Sequence, residues 1–150
     1  MTELNLQTLL DEAAIERVLV RYATALDERD FDVLDTVFLP EATAHYQTIG
    51  HFHDRASILT LLRGALGRCG KTQHLLGNYR IAIDGDHATA ACYLQAVHAG
   101  LGAYAAQTMT LWGEYRDRLV RRPEGWRIAH RELIIFQVAG DIGPTALGTE

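Results

Sequence analysis

The chain changes period at Lys71. Before it, apolar residues recur at three- and four-residue spacing; after it, four strand-length runs continue to about Val138. Helical repeats first and strands afterwards do not build alternating parallel β-α units. They predict an α+β domain in which a bent, mostly antiparallel sheet wraps a long helix. The runs cover residues 72–83, 87–99, 104–118 and 126–138. Asp84-Gly85-Asp86 joins the first pair and Arg122-Pro123-Glu124-Gly125 the last, both turn sequences, so consecutive runs are expected to be antiparallel neighbours.

Upstream, Leu10, Ala14, Val18, Tyr22 and Ala25 or Leu26 mark one buried face of a helix over residues 9–26. Thr8, with Asp11 and Glu12 behind it, is the expected capped start, and the helix should end between Glu28 and Asp30. Asp30 is then placed to cap a second, shorter helix carrying Phe31, Leu34, Val37 and Phe38, which Pro40 stops. Residues 42–48 read as a strand with His45 and Tyr46 on opposite faces, and His51 and His53 share one face of a short extension. Ile58, Leu61, Leu62 and Ala65 predict a third helix over residues 57–66, ending at Gly67 or Gly70. Residues 140–150 are expected to form a loose arm or a lid over a pocket.

A length of 150 residues predicts one domain spanning residues 1–150. The net charge of -5, with arginines scattered along the chain, supplies no basic footprint for nucleic acid. Cys69 and Cys92 lack metal or redox spacing and are expected to be free thiols. The first ten residues lack a basic segment followed by an apolar run, and no apolar stretch is long enough to span a bilayer. A cytoplasmic protein with no membrane partner is expected.

The chemistry centres on Thr72-Gln73-His74-Leu75-Leu76-Gly77-Asn78, where His74 enters the first long strand. A histidine can take and return a proton near neutral pH, provided that a carboxylate orients it. Asp27 is the candidate partner, because it borders the buried stripe of the first helix while Glu28, Arg29 and Asp30 read as solvent-facing. The competing reading makes His74 a packed or loop-capping residue and Asp27 an exposed acid at a helix end. His51 and His53 lack a third ligand at supporting spacing, so no metal site is expected. Trp112, Trp126 and Tyr115 are read as sheet packing, and Cys92 as core. Asn78 is in phase with His74 and can line a pocket, with a structural amide as the alternative. His130 and Arg131 alternate, so only one faces inward; Arg131 is the better anion or carbonyl anchor, or else forms a surface or interface ion pair.

The order Tyr22, Leu26-Asp27, Asp30-Phe31, Phe38, Pro40, Tyr46, Thr72-Gln73-His74, His98 and Trp126-Arg127-Ile128 resembles the SnoaL-like branch of the NTF2-like superfamily. Within it, the chain is most similar to scytalone dehydratase and related cofactor-free lyases. That resemblance implies a cystatin-like cone in which a curved sheet and three helices enclose a pocket. It also implies a pocket set of Asp27, Tyr46, His74 and His98; Tyr22 is read beside it as a second hydroxyl across the pocket mouth from Tyr46. The expected reaction removes water from a small hydrophobic carbonyl substrate, cyclic, polyketide- or steroid-like, without metal or organic cofactor. His74 serves as base, Tyr46 as enolate donor and His98 as acid to the departing hydroxyl. Met109 and Leu111 stand where the fungal dehydratase has polar anchors, so these two are expected to shape a different substrate site. The alternatives are a ketosteroid-isomerase-like isomerase and a noncatalytic ligand-binding protein or oxygenase small subunit. Strands this rich in apolar residues also predict burial of the outer sheet face in a homo-oligomer, dimer or trimer.

Overall fold

The computed structural model describes residues 4–144. Its elements run α1 (Leu6–Glu28), a 3-10 helix (Phe31–Thr36), β1 (Phe38–Tyr46), β2 (Gly50–Phe52), α2 (Arg55–Leu66), β3 (Thr72–Asp84) and β4 (His87–Ala99). A short 3-10 turn (Gly102–Tyr104) then precedes β5 (Thr108–Arg122) and β6 (Gly125–Ala139). The six strands form one sheet in the order β2-β1-β6-β5-β4-β3, with β1 parallel to β6 and every other pair antiparallel. The α+β architecture expected from the change of period is present. Its parallel pair arises because β1 and β6 lie far apart in sequence and need no hairpin between them.

Several local boundaries differ from the pattern reading. Asn5, not Thr8, caps α1 by accepting the Thr8 backbone N–H at 2.9 Å. The buried stripe begins at Asp11 and Ile15, whereas Leu9 and Leu10 are exposed. The segment after Asp30 is a six-residue 3-10 helix without a side-chain cap, and Phe38 and Pro40 belong to β1. Pro40 sits where no ladder donor is needed, next to the irregularity in register between Phe38 and Thr43. α2 starts two residues earlier than its apolar pattern because Asp54 and Ser57 form a reciprocal capping box. β5 begins at Thr108 rather than Tyr104, since Gly102–Tyr104 turns first. His45 and His51 stack across β1 and β2 with ring centroids 3.9 Å apart, and His53 lies beyond the end of β2.

Asp11 shows how α1 is anchored. Its buried carboxylate receives Arg121 Nη1 at 2.5 Å, Arg121 Nη2 at 2.9 Å and the Trp126 indole N–H at 3.1 Å. The Arg121 hydrogen bonds outweigh burial and hold this carboxyl at about 2, below the ordinary 3.8. An acid placed on the inner stripe by helical spacing thus ties α1 to the end of the β5–β6 hairpin.

Two bulges set which side chains face inward. Between Gly77 and Arg80 the β3–β4 register shifts, with Asn78 in the left-handed region at φ 51°. Asparagine tolerates that conformation, and the extra residue flips the strand's phase, so Tyr79, Ile81 and Ile83 continue the inner face begun by Thr72, His74 and Leu76. A second shift, between Arg118 and Leu119 opposite β6, brings Asp117 and Arg131 directly across from each other. Cys92 lies in the main core, and both cysteines are free. Among the described residues, no helix is long and apolar enough to cross a membrane.

Candidate functional site

The wide end of the sheet, α1 and α2 enclose a cavity of about 60 Å3. Tyr22 and Leu26 reach it from α1, Tyr46 from β1, His74 from β3, His98 from β4, Leu111 and Tyr115 from β5, and Leu133 from β6. Leu61, Leu62, Ala65 and Leu66 of α2, with Ile49 from the turn after β1, form the opposite wall. Every polar lining group is an imidazole or a phenol. A neutral, largely apolar ligand suits such walls.

Asp27 occupies the last turn of α1, behind His74. Its Oδ1 lies 2.6 Å from His74 Nδ1 and receives the Thr72 hydroxyl at 2.9 Å, while Oδ2 receives the His74 backbone N–H at 2.9 Å. Burial works to raise this carboxyl. The hydrogen bonds from the His74 ring, the His74 backbone N–H and the Thr72 hydroxyl together outweigh it and hold the carboxyl below the ordinary 3.8. Asp27 is therefore a carboxylate that only accepts, so His74 Nδ1 carries the proton and Nε2 is the free nitrogen of a ring that lines the cavity.

His98 sits edge-on to His74, with ring centroids 5.5 Å apart and planes at 77°. Burial, reinforced by the neighbouring His74, pushes its imidazole down to about 4, and its buried Nδ1 has no hydrogen-bond partner among the described residues. Burial thus favours the neutral ring, which counts against the expected role of His98 as acid to the departing hydroxyl. The ring as a whole is part of the cavity wall. On the far side, the Tyr22 and Tyr46 hydroxyls are 3.0 Å apart. One proton of the pair serves the bond between them, and the other is available to a ligand oxygen. Burial, followed by the neighbouring Tyr22, keeps the Tyr46 and Tyr115 phenols protonated by raising both well above 10.0.

Three residues expected at the substrate site lie elsewhere. Asn78 is exposed at the β3 bulge, because the phase shift turns it outward. Met109 packs with Cys69 and Ile142 in a separate apolar cluster, bordered by Tyr104. Arg131 is fully buried beneath the cavity: Asp117 takes its Nε at 2.8 Å and its Nη2 at 2.7 Å, and the Tyr22 and Tyr115 rings, nearly perpendicular to each other, lie against the guanidinium at 4.2 and 4.0 Å. It is neither a substrate anchor nor a surface ion pair. Burial opposes its charge, but Asp117 keeps it firmly protonated. Ile142 closes the second cluster rather than the cavity, and residues 145–150 of the expected arm or lid lie outside the described residues. Leu111 and Tyr22 do line the cavity.

Sequence reading passed over three participants. Tyr115, taken as packing, is part of the wall; its odd-numbered phase with Leu111 on β5 was the available signal. Thr72 shares His74's face and holds Asp27. Arg29, taken as solvent-facing, donates to Leu26 O and Gly70 O and to the Thr72 hydroxyl, and nothing in the local charge pattern marks it.

The profile of the SnoaL-like domain matches residues 7–132. The chain belongs to the SnoaL-like family. An uncharacterized protein of Mycobacterium tuberculosis is 37% identical over 131 residues, spanning 85% of this SnoaL-like chain and 87% of the relative. Among solved structures, the hexachlorocyclohexane dehydrochlorinase LinA-type3 of Novosphingobium barchaimii superposes with a TM-score of 0.80 at 17% identity, covering 93% of this chain and 96% of that one. A candidate scytalone dehydratase from Novosphingobium aromaticivorans superposes with a TM-score of 0.79 at 22% identity, covering 92% of each chain. The shared architecture is the NTF2-like cone, and at these identities it is the fold alone that is shared.

Proposed function

We propose that this SnoaL-like protein is a cofactor-independent lyase that eliminates water from a small, uncharged, hydrophobic hydroxy-carbonyl compound. The observation that carries the reading is the Asp27 carboxylate 2.6 Å from His74 Nδ1, on a ring that shares one cavity with the Tyr22–Tyr46 hydroxyl pair. In this reading His74 Nε2 removes the proton next to the carbonyl. The free proton of the tyrosine pair hydrogen-bonds the developing enolate oxygen. As the enolate collapses to the conjugated carbonyl, the β-hydroxyl leaves and takes the proton back from His74, so one water is released and the base is restored. His74 rather than His98 supplies that proton, because burial keeps His98 neutral. His98 instead forms part of the cavity wall. Each such contribution is ordinary acid-base catalysis of about 10²–10⁴ in rate.

An isomerase would use the same base and donor but return the proton to another carbon. We favour elimination because the names of the two structural neighbours, a dehydratase and a dehydrochlorinase, both describe loss of a small group. A cavity of about 60 Å3 is small for a ring substrate, so its walls must move apart on entry. The testing experiment is a turnover screen of uncharged cyclic hydroxy-ketones and hydroxylated aromatics, followed by the absorbance of the conjugated product. Turnover of these and not of carboxylated analogues is expected; tight binding without turnover across the set would move the protein to the noncatalytic reading.

Self-association belongs to the same proposal. Leu75, Tyr93 and Phe136 are exposed on the outer sheet face, with Tyr93 and Phe136 in edge contact at 6.2 Å. Beside them Arg80 and Arg116 flank Glu114, so the face carries both signs of charge, as a surface that meets its own copy requires. A homo-oligomer, dimer or trimer, is expected by light scattering at micromolar concentration, and Phe136→Lys should lower the mass. A wild-type monomer would refute it.

A further inference from the structure

The group that holds Asp27 is itself held. Thr72 Oγ1 lies 2.9 Å from Asp27 Oδ1 and 2.8 Å from Arg29 Nη1. A guanidinium only donates. The Thr72 hydroxyl therefore accepts from Arg29, and its single proton is directed to Asp27. The same Nη1 donates to Leu26 O at 2.6 Å, and Nη2 donates to Gly70 O at 2.6 Å. One side chain thus joins the end of α1, the loop before β3 and the first residue of β3. These are the three segments whose relative placement sets the distance from Asp27 to His74.

Arg29 makes these contacts from a backbone that does not favour it. It is the C-cap of α1 at φ 60° and ψ 27°, the left-handed region where glycine is the usual occupant. Helix ends fray, and Asp27 sits only two residues before this cap. A carboxylate there needs something to keep its plane fixed against the imidazole.

We propose that Arg29 is a positioning residue: acting through the Thr72 hydroxyl, it fixes the Asp27 carboxylate and so holds His74 in the Nδ1–H tautomer. The proposal deepens the acid-base reading and rests on it for its catalytic consequence. Its structural content stands independently of turnover.

The test uses Arg29→Gly, which suits the left-handed cap while deleting the side chain, and Thr72→Val, which removes the hydroxyl at nearly constant shape. Thr72→Ser restores the hydroxyl. The deciding readout is the pair of ring 15N shifts of His74 in the full-length protein, with the amide spectrum confirming the fold. In the wild type and Thr72→Ser, a single Nδ1–H tautomer is expected. In Arg29→Gly and Thr72→Val, the Nε2–H tautomer should appear alongside it. With a confirmed substrate, kcat should fall about tenfold to a hundredfold with KM nearly unchanged, and the double variant should be no slower than the poorer single one. Wild-type ring shifts in folded Arg29→Gly overturn the clamp, as they do in Thr72→Val should Arg29→Gly fail to fold. The expected shifts in a protein that turns over no substrate uphold the clamp and remove the lyase reading instead.

Discussion

His74→Ala should abolish most turnover, by about 10²–10⁴-fold, because it deletes the imidazole in the cavity that the Asp27 carboxylate orients. Asp27→Asn should cost a comparable factor by a different route. An amide can present its NH2 group to His74 Nδ1, which reverses the ring's tautomer and puts a proton on the nitrogen that must act as base. Because the two side chains work as one unit, the double variant should be scarcely slower than the poorer single one. The structure adds a cost in stability: Asp27 accepts three hydrogen bonds and an amide oxygen cannot replace all of them. Losing one is worth about 1 kcal/mol, roughly 2–4 °C in melting temperature for a chain of this size. Steady-state kinetics on a confirmed substrate, with melting curves alongside, decide the matter, and full activity in His74→Ala would exclude it as the base.

Asp117→Asn should be the most damaging single change to the fold. Arg131 and Asp117 are both inaccessible, paired through two short hydrogen bonds beneath the tyrosines. Removing one charge leaves the other buried without a counter-ion, a loss of about 3–5 kcal/mol. For a chain of this length that is roughly 6–20 °C in melting temperature. Replacing both partners by apolar residues, as Asp117→Leu with Arg131→Met, should recover much of the loss, because no charge then remains to be desolvated. Denaturant unfolding of the three proteins measures this, and an Asp117→Asn variant as stable as the wild type would show that the Tyr22 and Tyr115 rings alone sustain the buried cation.

The residues themselves determined the order of helices and strands, since period depends only on neighbours along the chain. His87–Ala99 matches its alternating run at both ends, and α1 ends within the expected interval at Glu28. Resemblance to a known family pointed to Asp27, Tyr46, His74 and His98, which the fold gathers around one cavity or, for Asp27, directly behind it. What the sequence could not supply depends on register and on partners distant along the chain. Asn78 is in phase with His74 only on an unbroken strand, and the bulge that turns it outward is a property of the β3–β4 pairing. Arg131 looks like a ligand anchor until the β5–β6 hairpin places Asp117 opposite it and the core closes over both. Arg29 sits in a charged run that reads as solvent, and only the approach of α1 to the start of β3 gives its guanidinium three acceptors. Local spacing fixes which face a side chain occupies within its own element. Whether that side chain meets solvent, a ligand or a buried counter-ion is decided when the elements pack, because burial and charge pairing are energies between segments that the chain brings together only on folding.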